Sequence, residues 1–393
     1  MGSAEIGIYP RLRCGAFANV DETGRLKSTG YSVIVSDVMV FSNIYPMNLD
    51  VGNPGTARFH MASQTAQRSI VVIGAGGTIA ARGTSKKYNS GVKSIRELTD
   101  RLSLAGQDIR PIDHSFGDSV DKTDRDHIGL ATYVQAKLAD EGVCGVVVTH
   151  GTDTLPELAA FMSCILKSEK PVVITGAIRP PAETSADGFA NLEDAIAVAQ
   201  QGYGRGCMVV FQREILSGMC VFKSDIKSLN AFSAARPGQL GFVDAHKAHF
   251  YHPPAAQVGL PMQVPASFEI PSVEVFFCHS SFPVDAVRDS IRRGVEACVF
   301  VAFGDGYWAT GREAIAALLS EHKVPSVITS QSNGCFVGES NAGFGIPGGW
   351  LRPAAARALL MLCLIGRMGR DEMEGHIRKR SRQGDPGAAE AKL

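Results

Sequence analysis

The spacing of apolar residues changes character at Ser69. Upstream, residues 31–45 (YSVIVSDVMVFSNIY) hold enough β-branched and aromatic side chains for a strand or two, but Pro, Asn and Gly punctuate the residues after them and no α/β rhythm develops. Downstream, short apolar runs alternate with helical stretches. Residues 69–74 (SIVVIG), 145–149 (GVVVT) and 171–175 (PVVIT) are nearly continuous apolar runs, as strands covered on both faces require. Residues 154–167 place Leu155, Leu158, Ala159, Met162, Ile165 and Leu166 along one helical stripe, with Pro156 in the first turn, where its missing N–H costs nothing. Strands separated by such helices predict βαβ units and a mainly parallel sheet.

Residues 252–266 (HPPAAQVGLPMQVPA) are rich in Pro and Ala and predict a crossing between two units. Beyond them, residues 273–278, 297–303 and 325–330 predict strands and 311–321 a helix, a second and smaller α/β unit. From Arg370 onward charges mix with Gly and Ala, and this tail is expected to fray. The expected organisation is therefore an N-terminal extension of unassigned role (1–66), a large domain (67–250), a linker (251–271), a smaller domain (272–369) and a charged tail (370–393).

The length of 393 residues fits two domains with something left over. Lys+Arg and Asp+Glu are 39 each and cancel, which removes the electrostatic footprint of a general nucleic-acid or anionic-membrane binder. With 45% hydrophobic and 20% charged residues, most of the chain has the apolar surface needed to fold. No run of 18 apolar residues occurs, the first residues lack the uninterrupted apolar core of a secretory signal, and the expected location is the cytoplasm. The nine cysteines form no CxxC pair and several sit inside apolar runs, which reads as buried free thiols in a reducing compartment.

Three strand-to-loop passages carry candidate chemistry. Gly76-Gly77-Thr78-Ile79-Ala80 follows the first strand, placing Thr78 at a strand's carboxyl end, where open α/β sheets bind ligands. A dinucleotide fingerprint starting at Gly74 fails, because it needs glycine where the chain has Ile79. Thr78 reads equally as a helix N-cap hydroxyl. His150-Gly151-Thr152-Asp153-Thr154 brings two hydroxyls and a carboxylate to the same edge, with Thr154 read as the cap of the following helix. In Thr175-Gly176-Ala177-Ile178-Arg179-Pro180 and Ser185-Ala186-Asp187-Gly188, Arg179 and Asp187 are read as structural, locking the loop by a charge-assisted hydrogen bond.

GGTIA at 76–80, HGTDT at 150–154, TGAIRP at 175–180 and SADG at 185–188, in this order and spacing, resemble the bacterial-type L-asparaginase family. The resemblance extends from about Ser69 to Leu364 and weakens after the linker. It implies a large flavodoxin-like N-terminal domain with a mainly parallel sheet and a smaller C-terminal α/β domain. It also implies a homotetramer of intimate dimers with active sites between subunits. Carried over residue by residue, Thr78 resembles the family's nucleophilic threonine and Tyr88 its partner tyrosine, on the lid-like stretch 82–91. Ser119, after Asp118 and before Thr123 and Asp126, resembles the serine that holds the substrate α-carboxylate. Thr152 and Asp153 resemble the second threonine and the aspartate that takes the α-amino group, and Val221-Phe222-Lys223 makes Lys223 the counterpart of the catalytic lysine.

A threonine hydroxyl is a poor nucleophile at neutral pH and must pass its proton to a base as it attacks the amide carbon. Tyr88 is the candidate base for Thr78; Lys223 acts as a base only if burial lowers the ordinary lysine pKa of about 10.4, and Asp153 nearby pushes the other way. Gly77 and Gly151, one before each threonine, let the backbone approach a small substrate, and N–H groups of such turns suit a developing oxyanion. The implied reaction converts L-asparagine and water to L-aspartate and ammonia without metal or organic cofactor. Glutamine or another amino-acid amide is the alternative substrate, and a catalytically silent amino-acid sensor the alternative from another class.

The match departs at three places. Val120 stands where many periplasmic members carry a polar residue that helps hold the substrate amino group, and Tyr307, in Gly304-Asp305-Gly306-Tyr307, stands where an asparagine reaching the neighbouring site is usual. Glu339 is the nearest counterpart of the acidic residue expected from the partner subunit. The family pattern begins near Met61, so residues 1–60 read either as an upstream-start artefact or as an added module like that of the tRNA-dependent amidotransferase relatives.

Overall fold

The computed structural model of the chain describes residues 68–103, 108–254, 259–339 and 343–381, together with four short strands further upstream. The chain divides into two units, residues 1–67 and 68–393. In the first, β1 (Val33–Val35) pairs antiparallel with β2 (Val38–Val40), and β3 (Met47–Asp50) with β4 (Arg58–Met61). These are two separate two-stranded sheets.

The second unit opens with β5 (Ser69–Ala75), followed by the hairpin β6 (Arg82–Thr84) and β7 (Lys87–Asn89). Then come α1 (Ile95–Thr99), β8 (Ile109–Asp113), α2 (Asp124–Leu138), β9 (Val143–His150), α3 (Leu155–Ile165), β10 (Val172–Thr175), α4 (Gly188–Gln201) and β11 (Cys207–Phe211). Apart from the hairpin, the five long strands lie in the order second-first-third-fourth-fifth and are all parallel. That is the flavodoxin-like order, and its topological switch point falls between β5 and β9. Three antiparallel strands, β12 (Glu214–Ser217), β15 (Gln239–Asp244) and β16 (Lys247–Phe250), extend the sheet beyond β11. Between β12 and β15 runs a small hairpin of β13 (Val221–Lys223) and β14 (Phe232–Ala234).

The near-continuous apolar runs work because alternate side chains serve opposite faces. Val71, Ile73, Val146, Val148 and Ile174 pack against α2 and α3 through Leu130, Val134, Leu158 and Met162. Ile70, Val72, Val147, Val173 and Val210 meet α1 and α4 through Ile95, Leu98, Leu192 and Ile196. With both faces apolar, register is fixed by the fit of each face's side chains against its own helices, a fit that a one-residue slip would exchange.

Beyond residue 271 a smaller sheet forms from β17 (Val273–Phe277), β18 (Ala297–Ala302), β19 (Ser326–Ser330) and β20 (Ile346–Pro347), all parallel. α5 (Val284–Arg292) and α6 (Arg312–Glu321) connect them, and the helix Pro353–Ile365 packs on the sheet and on Phe161 and Cys164 of α3. Arg357 of that helix donates to both carboxylate oxygens of Asp124 at 2.8 and 2.6 Å, a bidentate pair that joins the two sheets' helices. The described part of the 251–271 stretch packs down rather than spanning free: Leu260 is buried, and Met262, Val264, Phe268 and Ile270 lie against the same core.

The stretch from Arg370 does not fray as its composition predicts. It forms the helix Arg370–Ser381, whose Met373 and Ile377 are fully buried. Those two residues sit one turn apart and make an apolar stripe that the surrounding charges disguise. Residues 382–393 lie outside the described residues. Among the described residues no helix is long and apolar enough to cross a membrane.

Candidate active site

Thr78, Thr152 and Asp153 follow the carboxyl ends of β5 and β9 at the switch point, and Ser119 follows β8, while Tyr88 and Lys223 come from the small hairpins β6–β7 and β13–β14. Gly77, before Thr78, has φ 83° and ψ 178°, a conformation essentially reserved for glycine. A Cβ there would fall 2.4 Å from the backbone nitrogen of Gly151. The loops after β5 and β9, which carry Thr78 and Thr152 as their next residues, therefore touch backbone to backbone. The 119–121 turn packs below them, since a Cβ on Gly151 would meet the Cβ and Oγ of Ser119 at 2.6 Å.

Thr78 begins a 3-10 turn whose N-cap is Gly77, so its hydroxyl does not cap a helix. The Thr78 Oγ1 instead faces the Tyr88 hydroxyl at 3.4 Å, longer than an ordinary O–H···O bond but within reach of one small adjustment. Tyr88 lies on the β6–β7 hairpin, and the hairpin's Ser85 N–H donates to Glu183 at 2.7 Å. Lys223, at the end of β13, donates from Nζ to Thr152 Oγ1 at 2.9 Å and to Asp153 Oδ1 at 2.7 Å. Its side chain is 16% exposed, whereas that of Asp153 is 52% exposed. The lysine is thus held in the wall while the carboxylate stays open to a ligand. Phe222, one residue earlier, lies under the guanidinium of Arg352 at 4.7 Å, a cation–π contact from the smaller domain.

Ser119 is 1% exposed, and its hydroxyl is buried with no hydrogen-bond partner. Such a group carries a desolvation cost of about 1–3 kcal/mol that a bound acceptor would relieve. Asp118 accepts from the Ser119 N–H at 2.7 Å and sets the turn, while Thr123 and Asp126 form the capping box of α2. Val120, beside Ser119, is 63% exposed.

Thr154 departs from its expected role. It occupies the N-cap position of α3, but its hydroxyl makes no capping bond and donates to the Ser119 carbonyl at 3.0 Å. A cap of this kind stabilises a helix by about 0.5–2 kcal/mol, which α3 forgoes. Two histidines to which the sequence alone assigns no role lie beneath. His150 is fully buried, its ring nitrogen 2.8 Å from the Gly151 carbonyl, and burial pulls its pKa from the ordinary 6.5 to about 3. His127, on the inner face of α2, is lowered to about 4 by the same cause. Both are neutral at physiological pH, the tautomer of each being set by its neighbours. Their signal in the sequence is present, His150 within HGTDT and His127 on the apolar face of α2.

Asp187 clasps the β10–α4 loop through backbone donors, accepting from Ile178 and Arg179 N–H at 3.0 and 2.9 Å and from Asn191 at 3.1 Å. The Arg179 guanidinium turns to the Ser185 carbonyl and hydroxyl. Both are structural. In the smaller domain Tyr307 lies at the carboxyl end of β18, 59% exposed, and Glu339 is ion-paired with Arg378 of the last helix.

Two loops meeting at a flavodoxin-type switch point, each offering a threonine with its own polar partner, define a class of two-domain α/β protein built to grip a small polar molecule. The family described as "Asparaginase, N-terminal" matches residues 69–256, and that described as "Glutaminase/Asparaginase C-terminal domain" matches 272–376. Among relatives, "L-asparaginase 2-3" of Saccharomyces cerevisiae is 31% identical over 324 residues, 78% of this chain and 88% of the relative. "L-asparaginase 2" of Escherichia coli is 30% identical over 321 residues, 75% and 88%. The solved structure of a "Probable Cytoplasmic L-asparaginase" from Campylobacter jejuni superposes with a TM-score of 0.71 at 30% identity, covering 79% of this chain and 99% of that one. The chain belongs to the asparaginase family.

Proposed function

We propose that the chain is an amidohydrolase that converts L-asparagine and water to L-aspartate and ammonia by threonine nucleophilic catalysis. The observation that carries the reading is the pairing of each threonine with a proton-handling side chain, Thr78 with Tyr88 and Thr152 with Lys223 and Asp153. The α-carboxylate goes to the buried Ser119 hydroxyl and the α-amino group to the exposed Asp153, which lays the side-chain amide across the two glycine turns. Thr78 Oγ1 bonds to the amide carbon as its proton passes to the Tyr88 oxygen and the Tyr88 hydroxyl releases its own proton toward the amide nitrogen. The Gly77 N–H is already given to the Gly117 carbonyl at 2.9 Å, so other backbone N–H groups of the two glycine turns receive the developing oxyanion. The C–N bond breaks and the nitrogen leaves as ammonia with the transferred proton, giving an ester on Thr78. Water, held at the Thr152 hydroxyl onto which the Lys223 ammonium donates, attacks the ester carbon; the bond to Thr78 Oγ1 breaks, the water's proton returns to Thr78 Oγ1 through Tyr88, and L-aspartate is released.

The same reading takes the protein as a cytoplasmic homotetramer with a small-molecule substrate, and with neither nucleic acid nor membrane as partner. Phe277, Phe303 and Tyr307 gather exposed at the carboxyl ends of β17 and β18, apolar surface suited to burial against another copy. The Campylobacter relative is named as a cytoplasmic enzyme and a Haemophilus influenzae relative as a periplasmic one. The cysteines among the described residues are free. Glutamine is the second candidate substrate, favoured by the description of the C-terminal family as glutaminase or asparaginase.

The test is ammonia release by purified protein with L-asparagine and L-glutamine in parallel, with Thr78→Ala and Thr152→Ala as controls. Asparagine turnover that disappears in both variants is the expected result. Glutamine turnover alone makes the protein a glutaminase, and L-aspartate binding without turnover of either amide makes it a sensor.

A further inference from the structure

The loop that carries Ser119 is tied to the loop that carries Thr152 by a side chain with no role in the reaction above. Thr154 Oγ1 spends its proton on the Ser119 carbonyl, 35 residues away in sequence, rather than on capping its own helix. His127 Nε2 lies 3.4 Å from the same oxygen. Because the Thr154 proton is already committed, His127 must be the donor in that contact, which leaves its Nδ1 bare; that nitrogen is indeed buried without a partner. Above, the Gly151 backbone closes on the Ser119 side chain so tightly that a Cβ would overlap it. Ser119 is therefore clamped between Gly151 and the Thr154 hydroxyl, and its own hydroxyl is left unpartnered at the site.

We propose that Thr154 is a positioning residue for substrate binding: by holding the Ser119 carbonyl it fixes the turn from which the Ser119 hydroxyl reaches the substrate carboxylate, and His127 holds Thr154 in that orientation. The inference rests on the assignment of Ser119 to the α-carboxylate. Thr154 touches no reacting atom, so its loss is felt where the carboxylate is gripped and not in the chemical step.

The test compares Thr154→Val, which keeps the shape and removes the donor, with Thr154→Ser, which restores it, against Ser119→Ala. KM and kcat for L-asparagine and the inhibition constant of L-aspartate are measured on the full chain, with melting temperature as the check of folding. Thr154→Val is expected to raise KM and the aspartate inhibition constant about tenfold with kcat within about twofold, the size of one lost hydrogen bond to a charged group. Thr154→Ser returns both, and Ser119→Ala combined with Thr154→Val is no worse than Ser119→Ala alone. If Ser119→Ala leaves KM unchanged, the assignment of Ser119 falls and the inference with it. If Ser119→Ala raises KM while Thr154→Val does not, or if Thr154→Val lowers kcat alone, Thr154 is a structural residue and the inference is overturned. Should Thr154→Val fail to fold, His127→Leu against the donor-bearing His127→Gln reads the same split.

Discussion

Gly77 and Gly151 meet backbone to backbone at the switch point, with room for no Cβ on the first of them. This contact joins the loops that carry Thr78 and Thr152 although the two residues are separated by most of a βαβαβ unit. Gly77→Ala places a methyl group 2.4 Å from a main-chain nitrogen that has no flexible end to yield, in a backbone conformation alanine rarely adopts. The strain alone is about 1–3 kcal/mol. The expected outcome is a lower melting temperature together with loss of asparagine turnover beyond what the folded fraction explains. An alanine variant with wild-type kcat/KM would show that the close approach is not required.

Much of the architecture can be read from the chain because it rests on local pattern. The runs at 69–74, 145–149 and 171–175 form β5, β9 and β10, and the stripe from Leu155 to Leu166 forms α3. The helix Arg370–Ser381 is not legible because two apolar residues one turn apart, Met373 and Ile377, are too few to stand out among charges; their burial depends on a surface supplied by residues far away in sequence. The site divides the same way. Which residue types follow each strand is legible, but where the Thr154 hydroxyl points is not. Local rules favour the cap, and the competing acceptor, the Ser119 carbonyl, is brought there only by the sheet order.

Lys223 bridges Thr152 and Asp153 from a largely enclosed position. Lys223→Met keeps most of the stem's packing and removes the ammonium that donates to the Thr152 hydroxyl. Proton transfer by a positioned group contributes roughly 10²–10⁴-fold. A fall in kcat of that order is expected, with the circular dichroism spectrum unchanged. Asp153→Asn should act mainly on KM, since the exposed carboxylate meets the substrate amino group. A Lys223→Met enzyme retaining more than about a tenth of wild-type kcat would remove Lys223 from the mechanism.

Val120 stands exposed beside the buried Ser119, and an apolar side chain at that rim offers the substrate's charged end nothing. Val120→Gln puts a polar amide beside Ser119, where the substrate's charged end is placed by the proposed function. One added hydrogen bond to a charged group contributes about 1.5–3 kcal/mol, so KM for L-asparagine should fall by roughly tenfold or more. Steady-state kinetics with an unchanged KM would show that the rim is not a determinant of affinity.

Residues upstream of Arg68 belong to a unit separate from the asparaginase domains, and β1–β4 pair with one another as two-stranded sheets. The family match begins at residue 69. Isolated two-stranded ribbons contribute little stability of their own. A chain beginning at Met61 is therefore expected to keep the melting temperature and the asparagine turnover of the full chain. A drop in either, measured by thermal melting and ammonia release, would give the first sixty residues a structural or catalytic part.

The buried histidines make stability depend on pH in a direction that can be worked out. In the folded protein burial holds His127 at about 4, with Asp124 and Asp126 opposing and Lys122 and Arg357 assisting; His150 sits at about 3 through burial, lowered further by His127 and Lys122 and opposed by the Gly151 carbonyl. Unfolded, both titrate near 6.5. Between those values the unfolded chain binds more protons than the native one, so stability rises with pH. The contribution is fully present above pH 6.5 and is lost as pH falls toward 4 for His127 and toward 3 for His150. Each group gives a slope of roughly 1.4 kcal/mol per pH unit within its window. Denaturant unfolding at pH 7.5, 6.0, 5.0 and 4.5 should show this loss in the wild type and a shallower one in His127→Gln, which keeps a donor toward Thr154 but cannot take up a proton. Carboxylates that lose their partners at low pH add the same slope to both proteins, so the difference between the two isolates the histidine. Parallel slopes would mean that His127 is not held neutral in the fold.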